Sequence, residues 1–282
     1  MNPCLMIMNE EILMLDTVFA VIKKNRKIVK RAYPWSFIWS RVSGAFFSMA
    51  VPFLLYFFVF DKKLSTEYAE YSRGCTYLNY ILLGAVLNVL SFSTLMSVGR
   101  CLITEQREGT LDNFLLSPAS RTGYFIGAYI EQLGRSMLEA VFIIVFGILF
   151  GARLKLEYIP SIIVCIIFSS VAFFSVSILV STIMLYTRDT YLVQNTLFLI
   201  MSCICGVEFP IEFFPKIIQY ISRIFPLTYT INIIRACASG NFTYEIYRFD
   251  IIMIIVLSVI YYSLGFWGFK KLEKRLIIDI LA

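Results

Sequence analysis

The sequence predicts an all-α integral membrane protein with six transmembrane helices, an N-terminal interfacial helix and an extracellular re-entrant helical hairpin after the fifth span. Of its 282 residues, 59% are hydrophobic and only 16% are charged. The mean hydropathy is +0.77, and several uncharged runs reach the roughly 20 residues that a helix needs to cross a bilayer. A soluble domain of this size needs more polar and charged surface than this composition supplies.

The first 35 residues are predicted to form an amphipathic helix on the cytoplasmic surface of the membrane. From Glu10 to Arg31, apolar residues recur at helical spacing and basic residues occupy the other side, a pattern typical of an interfacial helix. Pro34 is expected to end this helix. A cleavable signal is not indicated, because the basic cluster follows the apolar stretch instead of preceding it. A disordered basic tail is the alternative.

Residues 36–270 are predicted to form the transmembrane domain, and residues 271–282 a cytoplasmic tail. The six predicted spans comprise, in order, residues 37–60, 75–99, 123–151, 159–186, 190–207 and 249–269. Five of them contain uncharged runs of about the required length. The third alone carries charges at membrane depth.

The charges of the third span are Glu131, Arg135 and Glu139, which follow one another at intervals of four residues. This spacing places them on one stripe of a helix, where neighbours can pair. Charges at this depth are costly unless they are paired or face a cavity. The stripe therefore indicates either a functional site or a structural contact between helices.

Lysine and arginine near the span ends predict that both termini are cytoplasmic. The basic residues of the N-terminal helix, the segment 100–121, Arg188 and the basic tail at 270–275 then share one side of the membrane. The formal net charge is +6, and the basic residues adjoin hydrophobic runs. They therefore indicate contact with a membrane surface and not with nucleic acid.

Several kinds of site are disfavoured by composition. The chain has no histidine, which removes the usual general base and the commonest metal ligand. Its seven cysteines are scattered through apolar stretches and are expected to pack as small hydrophobic residues. The sequence contains no G-x-x-x-x-G-K-[ST], so no P-loop is available to hold nucleotide phosphates. We therefore predict no catalytic residue, metal or bound cofactor in this chain.

Two connections between spans are not ordinary loops. Residues 104–122, TEQREGTLDNFLLSPASRT, combine charges with an apolar stripe. The part from Glu105 to Leu116 can form a short surface helix, interrupted or capped near Gly109, which Pro118 stops. It is predicted to be either a solvated connector or a docking element for a soluble partner, since such a stripe suits a polar-rimmed interface.

The second unusual connection, residues 208–247, is amphipathic although it should lie outside the membrane. Its prolines at 210, 215 and 226 break it into two short predicted helices, Phe213–Phe225 and Leu227–Ala238. These are too short and too charged to span the bilayer. We expect them to dip into the outer leaflet and return.

These two connections carry a family resemblance. The run EQREGTLDNFLLSPASRTGYFIGAYI resembles the cytoplasmic segment of ABC-2 type permeases, the membrane subunits of ATP-driven exporters. The run GVEFPIEFFPKIIQYISRIFPLTYTINIIR resembles the motif that follows the fifth span in the same family. The resemblance implies a permease that moves a drug-, peptide- or lipid-like cargo outward by alternating access. It further implies a separate ABC ATPase subunit, which binds ATP and Mg, a second permease copy or homologous permease, and a place among the lipids of the plasma membrane.

The resemblance also implies residue roles. The coupling helix, which docks in a cleft of the ATPase, would contain Glu105, Arg107, Glu108, Gly109 and Thr110. The outer helices that cap the translocation path would contain Pro210, Pro215, Pro226, Thr228, Tyr229 and Arg235. We assign the charged stripe of Glu131, Arg135 and Glu139 to the translocation path or gate as well.

Two alternatives remain beside this interpretation. An ion-coupled secondary transporter could use the charged stripe of the third span, although no inverted repeat or pair of broken helices supports it. A membrane enzyme is disfavoured by the lack of histidine and of clustered acidic residues.

Overall fold

The computed structural model describes residues 3–32, 34–59, 75–153, 155–187 and 189–281. Within these residues the chain forms ten α-helices and no strand. The all-helical fold that composition and periodicity predict is therefore confirmed for the described part of the chain.

The first five α-helices lead from the N-terminus to the middle of the chain: α1 Pro3–Ala32, α2 Pro34–Leu54, α3 Tyr77–Arg107, α4 Leu111–Leu116 and α5 Arg121–Leu149. The other five are α6 Ile159–Thr187, α7 Thr190–Ile204, α8 Lys216–Ser222, α9 Pro226–Ser239 and α10 Tyr244–Leu281. A π-helical turn, Leu55–Val59, extends α2, and short 3-10 turns, Leu156–Tyr158 and Ile211–Phe213, precede α6 and α8.

Five of the described helices are long and apolar enough to cross a membrane. The stretches are Ile38–Phe58, Tyr77–Arg107, Arg121–Leu149, Ile159–Thr187 and Tyr244–Ile278, and they confirm five of the predicted spans as helices of spanning length. The remaining predicted span corresponds to α7, which has 15 residues. At 1.5 Å per residue α7 is about 22 Å long, against a hydrocarbon core of about 30 Å, so the sixth crossing stays a prediction.

Several helix bounds differ from the predicted spans. Helix α3 continues past residue 99 to Arg107, and α10 continues through most of the predicted tail. Of the two predicted hairpin helices, the first is shorter, at Lys216–Ser222, and the second extends by one residue at each end, to Pro226–Ser239. The end of the first span at residue 60, and Arg188, one of the basic residues on which the predicted orientation rests, lie outside the described residues.

The bundle is organised around α3 and α6. Helix α3 packs against α5, α6 and α9, and α6 packs against α9 and α10 as well. Of the five long helices, α3 is the most enclosed, whereas α2 and α10 are the most exposed. Helix α4 follows the end of α3, and Arg107 at that end contacts Thr190, so α4 and the start of α7 lie at one end of the bundle (the α4 end). Helices α8 and α9 lie at the other (the α9 end).

Helix α1 packs along α5 through close backbone contact. A Cβ atom on Gly123 would lie 2.8 Å from the carbonyl oxygen of Met14, and one on Gly127 would lie 2.9 Å from that of Val18. The G-x-x-x-G pair therefore allows a close approach that larger residues would block.

The side of α1 that packs on α5 differs from the apolar side that the sequence predicts, which consists of Ile12, Leu15, Phe19 and Ile22. Val18 and Val21 are buried against α5, whereas Leu15 is 53% and Phe19 is 68% exposed. The exposed apolar side chains are therefore available to lipid, as an interfacial position requires.

We predict that Gly127→Val detaches α1 from α5, because the new side chain would meet the backbone of Val18 and the Cβ of Val21 within 3.2 Å. Hydrogen exchange of the amides from Met14 to Val21 should then accelerate. The matched control is Gly134→Val in the same helix, where an added Cβ has no neighbour within 4 Å. Equal exchange in the two variants would contradict the packing described here.

Candidate functional site

The connection between α3 and α5 forms a compact turn around α4. Helix α3 ends at Arg107, and Gly109 adopts a left-handed conformation with φ of 70°. The Thr110 amide then donates a hydrogen bond of 2.9 Å to the carbonyl oxygen of Glu105. The predicted interruption near Gly109 is confirmed, but the predicted start of the surface helix at Glu105 differs from the structure. Glu105 belongs to the last turn of α3, and only Leu111–Leu116 forms α4.

Glu105 points into the protein. Its side chain is buried and accepts hydrogen bonds from Lys24 Nζ, Thr110 Oγ1 and the hydroxyl group of Tyr124, the last at 2.9 Å. One carboxylate therefore joins α1, the turn before α4, and α5. A buried carboxylate is stable only with such partners.

The rest of this turn faces outward. Arg107 is exposed, and its Nη2 donates a hydrogen bond of 3.3 Å to Thr190 Oγ1 at the start of α7. Charged, polar and apolar side chains adjoin it on the same turn. We define the α4 surface as the exposed residues Arg107, Glu108, Gly109, Asp112, Asn113 and Leu116.

Arg121, at the first position of α5, holds α4 in place. Its Nη1 donates to the carbonyl oxygens of Phe114, Ser117 and Ala119 at 2.9, 3.3 and 3.0 Å, and its Nη2 donates to that of Leu115 at 2.6 Å. These are carbonyl groups that the end of a helix and the following turn leave without intrahelical partners.

The same guanidinium group ties α4 to α10. Arg121 Nε donates to Glu273 Oε1 at 2.7 Å, and the guanidinium carbon lies 4.7 Å from the centre of the Phe114 ring. Sequence analysis did not single out Arg121. The available signal was its place at the start of a helix, where the helix dipole disfavours a positive charge and a compensating interaction is therefore expected.

The charged stripe of α5 pairs both within its helix and across to α2. Arg135 donates to Glu131, one turn away, as its spacing predicts. Glu139 instead accepts from Arg41 of α2. Glu131 is buried, and the side chains of the other three are at most 25% exposed. The Glu139–Arg41 pair gives the stripe a structural role between helices, and the stripe also borders a cavity of about 420 Å³.

At the α9 end, Arg235 of α9 is buried against three carbonyl groups. It donates to Gly206 and Val207 at 2.8 and 2.9 Å, just after α7, and to Tyr80 of α3 at 3.1 Å. Its guanidinium carbon also lies 3.2 Å from the centre of the Tyr80 ring. Arg235 thereby fixes the end of α7 and the start of α3 on α9. Since a Cβ on Gly84 would lie 2.3 Å from the Val207 carbonyl oxygen, this arrangement requires glycine there.

The other residues predicted at the α9 end mark element boundaries. Pro210 precedes a 3-10 turn, Pro215 precedes α8, and Pro226 is the first residue of α9, a position where proline needs no amide hydrogen. Thr228 donates to the Ser222 carbonyl oxygen at 2.7 Å. Tyr229 is buried, and burial raises the pKa of its phenol above the ordinary value, so the hydroxyl stays protonated.

The cysteines whose side chains the structure describes are free thiols. Cys165 of α6 and Cys237 of α9 approach to 3.4 Å between their sulfur atoms, while Cys203 is exposed and Cys205 is buried. Across the described ranges, no three Cys, Asp or Glu side chains come together as a potential metal site.

We predict that Arg121→Lys loosens α4, because a lysine keeps the charge near Glu273 but cannot reach all four carbonyl groups. Hydrogen bonds from a charged donor are worth roughly 1.5–3 kcal/mol each, so hydrogen exchange across residues 111–119 should accelerate at least about 10-fold. Arg275→Gln, on the exposed side of α10, is the control and should leave this exchange unchanged. Unchanged exchange in Arg121→Lys would remove the anchoring role.

We predict that Gly84→Ala destabilises the α9 end. The added Cβ would lie 2.3 Å from the Val207 carbonyl oxygen and 2.9 Å from Arg235 Nη2. Overpacking of this kind costs about 1–3 kcal/mol, and a lower melting temperature of the purified protein should report it. The control is Gly44→Ala, where the added Cβ meets only an ordinary contact at 3.7 Å. Equal melting temperatures for the two variants would contradict the contact.

Comparison with known proteins agrees with the resemblance. A family model described as ABC-2 type transporter matches residues 17–238. The match includes all of the first unusual connection, most of the second, and the helices from the second half of α1 to nearly the end of α9. No curated protein matches the chain. The match covers well over half of the sequence, and the five long apolar helices fit a multi-pass membrane transport component. The chain belongs to the ABC-2 type transporter family.

Proposed function

We propose that this chain is the permease subunit of an ATP-driven exporter, and that a separate ABC ATPase docks on the α4 surface. The observation that carries the proposal is the attachment of that surface. Through Arg121 and Glu105 it is joined to α1, α5 and α10. A displacement of the α4 surface by the ATPase would therefore be transmitted to several helices at once.

The residues of the turn would have two different roles in coupling. Arg107, Glu108 and Gly109 are exposed and would contact the ATPase. Glu105 and Thr110 would act as positioning residues, since they bond to each other and hold the turn against α1 and α5.

The α9 end would close the translocation path on the outer side. Re-entrant helices need protein partners for the backbone groups they expose, and Arg235 supplies three such bonds. Pro210, Pro215, Pro226 and Tyr229 would shape this cap. The ATPase would then bias an equilibrium between inward-open and outward-open arrangements, with the stripe of Glu131, Arg135 and Glu139 between the two ends.

The working unit would contain two permease chains, identical or homologous, and ATPase subunits that bind ATP and Mg. With six spans and both termini cytoplasmic in the plasma membrane, the α4 surface would lie on the side where ATP is available. The cargo would be a drug-, peptide- or lipid-like molecule that moves outward.

The partner ATPase provides the direct test. Its hydrolysis should depend on this chain, and replacing its catalytic carboxylate should abolish transport into inverted vesicles. Transport that persisted with the inactive ATPase, and that followed an ion gradient, would support a secondary transporter and overturn the proposal.

We predict that Gly109→Val uncouples ATP hydrolysis from transport while the spans stay inserted. A side chain at left-handed φ costs roughly 1–2 kcal/mol, so the turn would reshape although an added Cβ has no neighbour within 4 Å. Gly109→Asn is the matched control, because asparagine tolerates this conformation. The expected result is hydrolysis near the wild-type rate with transport reduced several-fold in the valine variant alone. Normal transport in Gly109→Val would exclude a coupling role for the turn.

A further inference from the structure

Two thiol groups from different helices meet at the α9 end. The sulfur atoms of Cys165 in α6 and Cys237 in α9 lie 3.4 Å apart, although the two cysteines are 72 positions apart in the chain. A disulfide bond joins sulfur atoms about 2.05 Å apart, so these two would have to approach by about 1.4 Å. Small rotations of both side chains about their Cα–Cβ bonds supply a movement of this size. Since both cysteines are free thiols, the pair can be oxidised.

The packing around the pair holds the two sulfur atoms together. Helix α9 packs against α6, and Cys237 belongs to a cluster of buried residues that includes Ala172 of α6, with Cys165 packed against it. At the end of α9, a Cβ atom on Gly240 would overlap the hydroxyl group of Tyr158, just before α6. The two helices are therefore in close contact on both sides of the pair, and such packing resists separation.

Cys165 is the more accessible member of the pair. It lies in the second turn of α6, about 9 Å from the start of that helix. Its side chain is partly exposed, whereas Cys237 is buried. Because exposed thiols react with oxidants before buried ones, Cys165 would react first. Cys237 is then the nearest thiol to the product.

We propose that Cys165 and Cys237 form a redox modification site, at which a small disulfide compound oxidises them to a disulfide bond between α6 and α9. The thiolate of Cys165 attacks one sulfur atom of the oxidant, whose S–S bond breaks and releases a first thiol. The thiolate of Cys237 then attacks the sulfur atom of Cys165, and the mixed disulfide breaks to release a second thiol. The two cysteines give up two protons and two electrons, which leave on the two product thiols.

The bond would restrain the α9 end. Arg235, two residues before Cys237, bonds to the backbone just after α7 and to Tyr80 of α3, so the disulfide would add a covalent link to α6. That this end caps the translocation path, on the side of the membrane where disulfides persist, rests on the proposed function. The formation of the bond does not rest on it.

The bond can be tested on the purified chain with dithiodipyridine, an uncharged disulfide compound, and peptide mass spectrometry. The peptides of Cys165 and Cys237 should be joined, lighter by two hydrogen atoms and free of thiopyridyl groups. Cys237→Ser is the matched control, in which Cys165 should stop at the mixed disulfide and keep its thiopyridyl group. Modification of Cys203, an exposed thiol of α7, shows that the reagent is active. Separate thiopyridyl groups on Cys165 and Cys237, or no reaction of either beside a modified Cys203, would overturn the site.

Thermal stability gives a second measurement that misfolding cannot imitate. A link between positions so far apart in the chain restricts the unfolded state, so the oxidised wild type should melt several degrees higher than the reduced protein. A reductant should reverse the rise, and Cys165→Ser should melt at the same temperature with and without the oxidant. An unchanged melting temperature with the bond formed would overturn the restraint on the α9 end.

Transport by the complex with the ATPase separates this site from the proposed function. Oxidation should lower ATP-dependent transport several-fold, a reductant should restore it, and Cys165→Ser should transport at the wild-type rate under both conditions. Unchanged transport with the bond formed would refute the effect of the bond on transport. Transport that did not depend on the ATPase would refute the proposed function, and a bond found between Cys165 and Cys237 would still stand.

Discussion

Backbone carbonyl groups that have no partner within their own helix need hydrogen-bond donors from elsewhere in the protein when they lie in a membrane, because the hydrocarbon of the bilayer offers none. This chain satisfies them with arginine at both ends of its bundle. Arg121 bonds four carbonyl groups around α4, and Arg235 bonds three carbonyl groups between α3 and the end of α7. The two connections that do not span the membrane therefore each depend on one guanidinium group, and the functional interpretation depends on those connections.

Close backbone approach is the second requirement that these anchors impose. Arg235 reaches its acceptors only because Gly84 leaves room beside Val207, and α1 reaches α5 only because Gly127 leaves room beside Val18. Both contacts pack one element directly on the backbone of another, so they resist deformation. A bundle tied in this way suits a permease in which a partner moves one end and the other end has to respond.

The charged stripe of α5 contributes to the packing of the helices. The pair of Arg41 and Glu139 joins α2 to α5, which removes most of the cost of burying each charge. The pair of Arg135 and Glu131 lies within α5, so the stripe is paired both along its own helix and across to α2.

The sequence by itself determined the helical membrane architecture, because the thickness of the bilayer sets the length of a spanning helix and the length of an uncharged run can be counted in the sequence. It also determined the break at Gly109, because glycine tolerates a left-handed conformation, and the start of α9 near Pro226, because proline fixes its own φ. Only the tertiary structure decided that Glu105 points inward, that Arg121 holds α4, and that Arg235 bonds to Tyr80. Those partners are distant in the chain, 155 residues apart for Arg235 and Tyr80, so the choice among possible acceptors depends on how the helices pack.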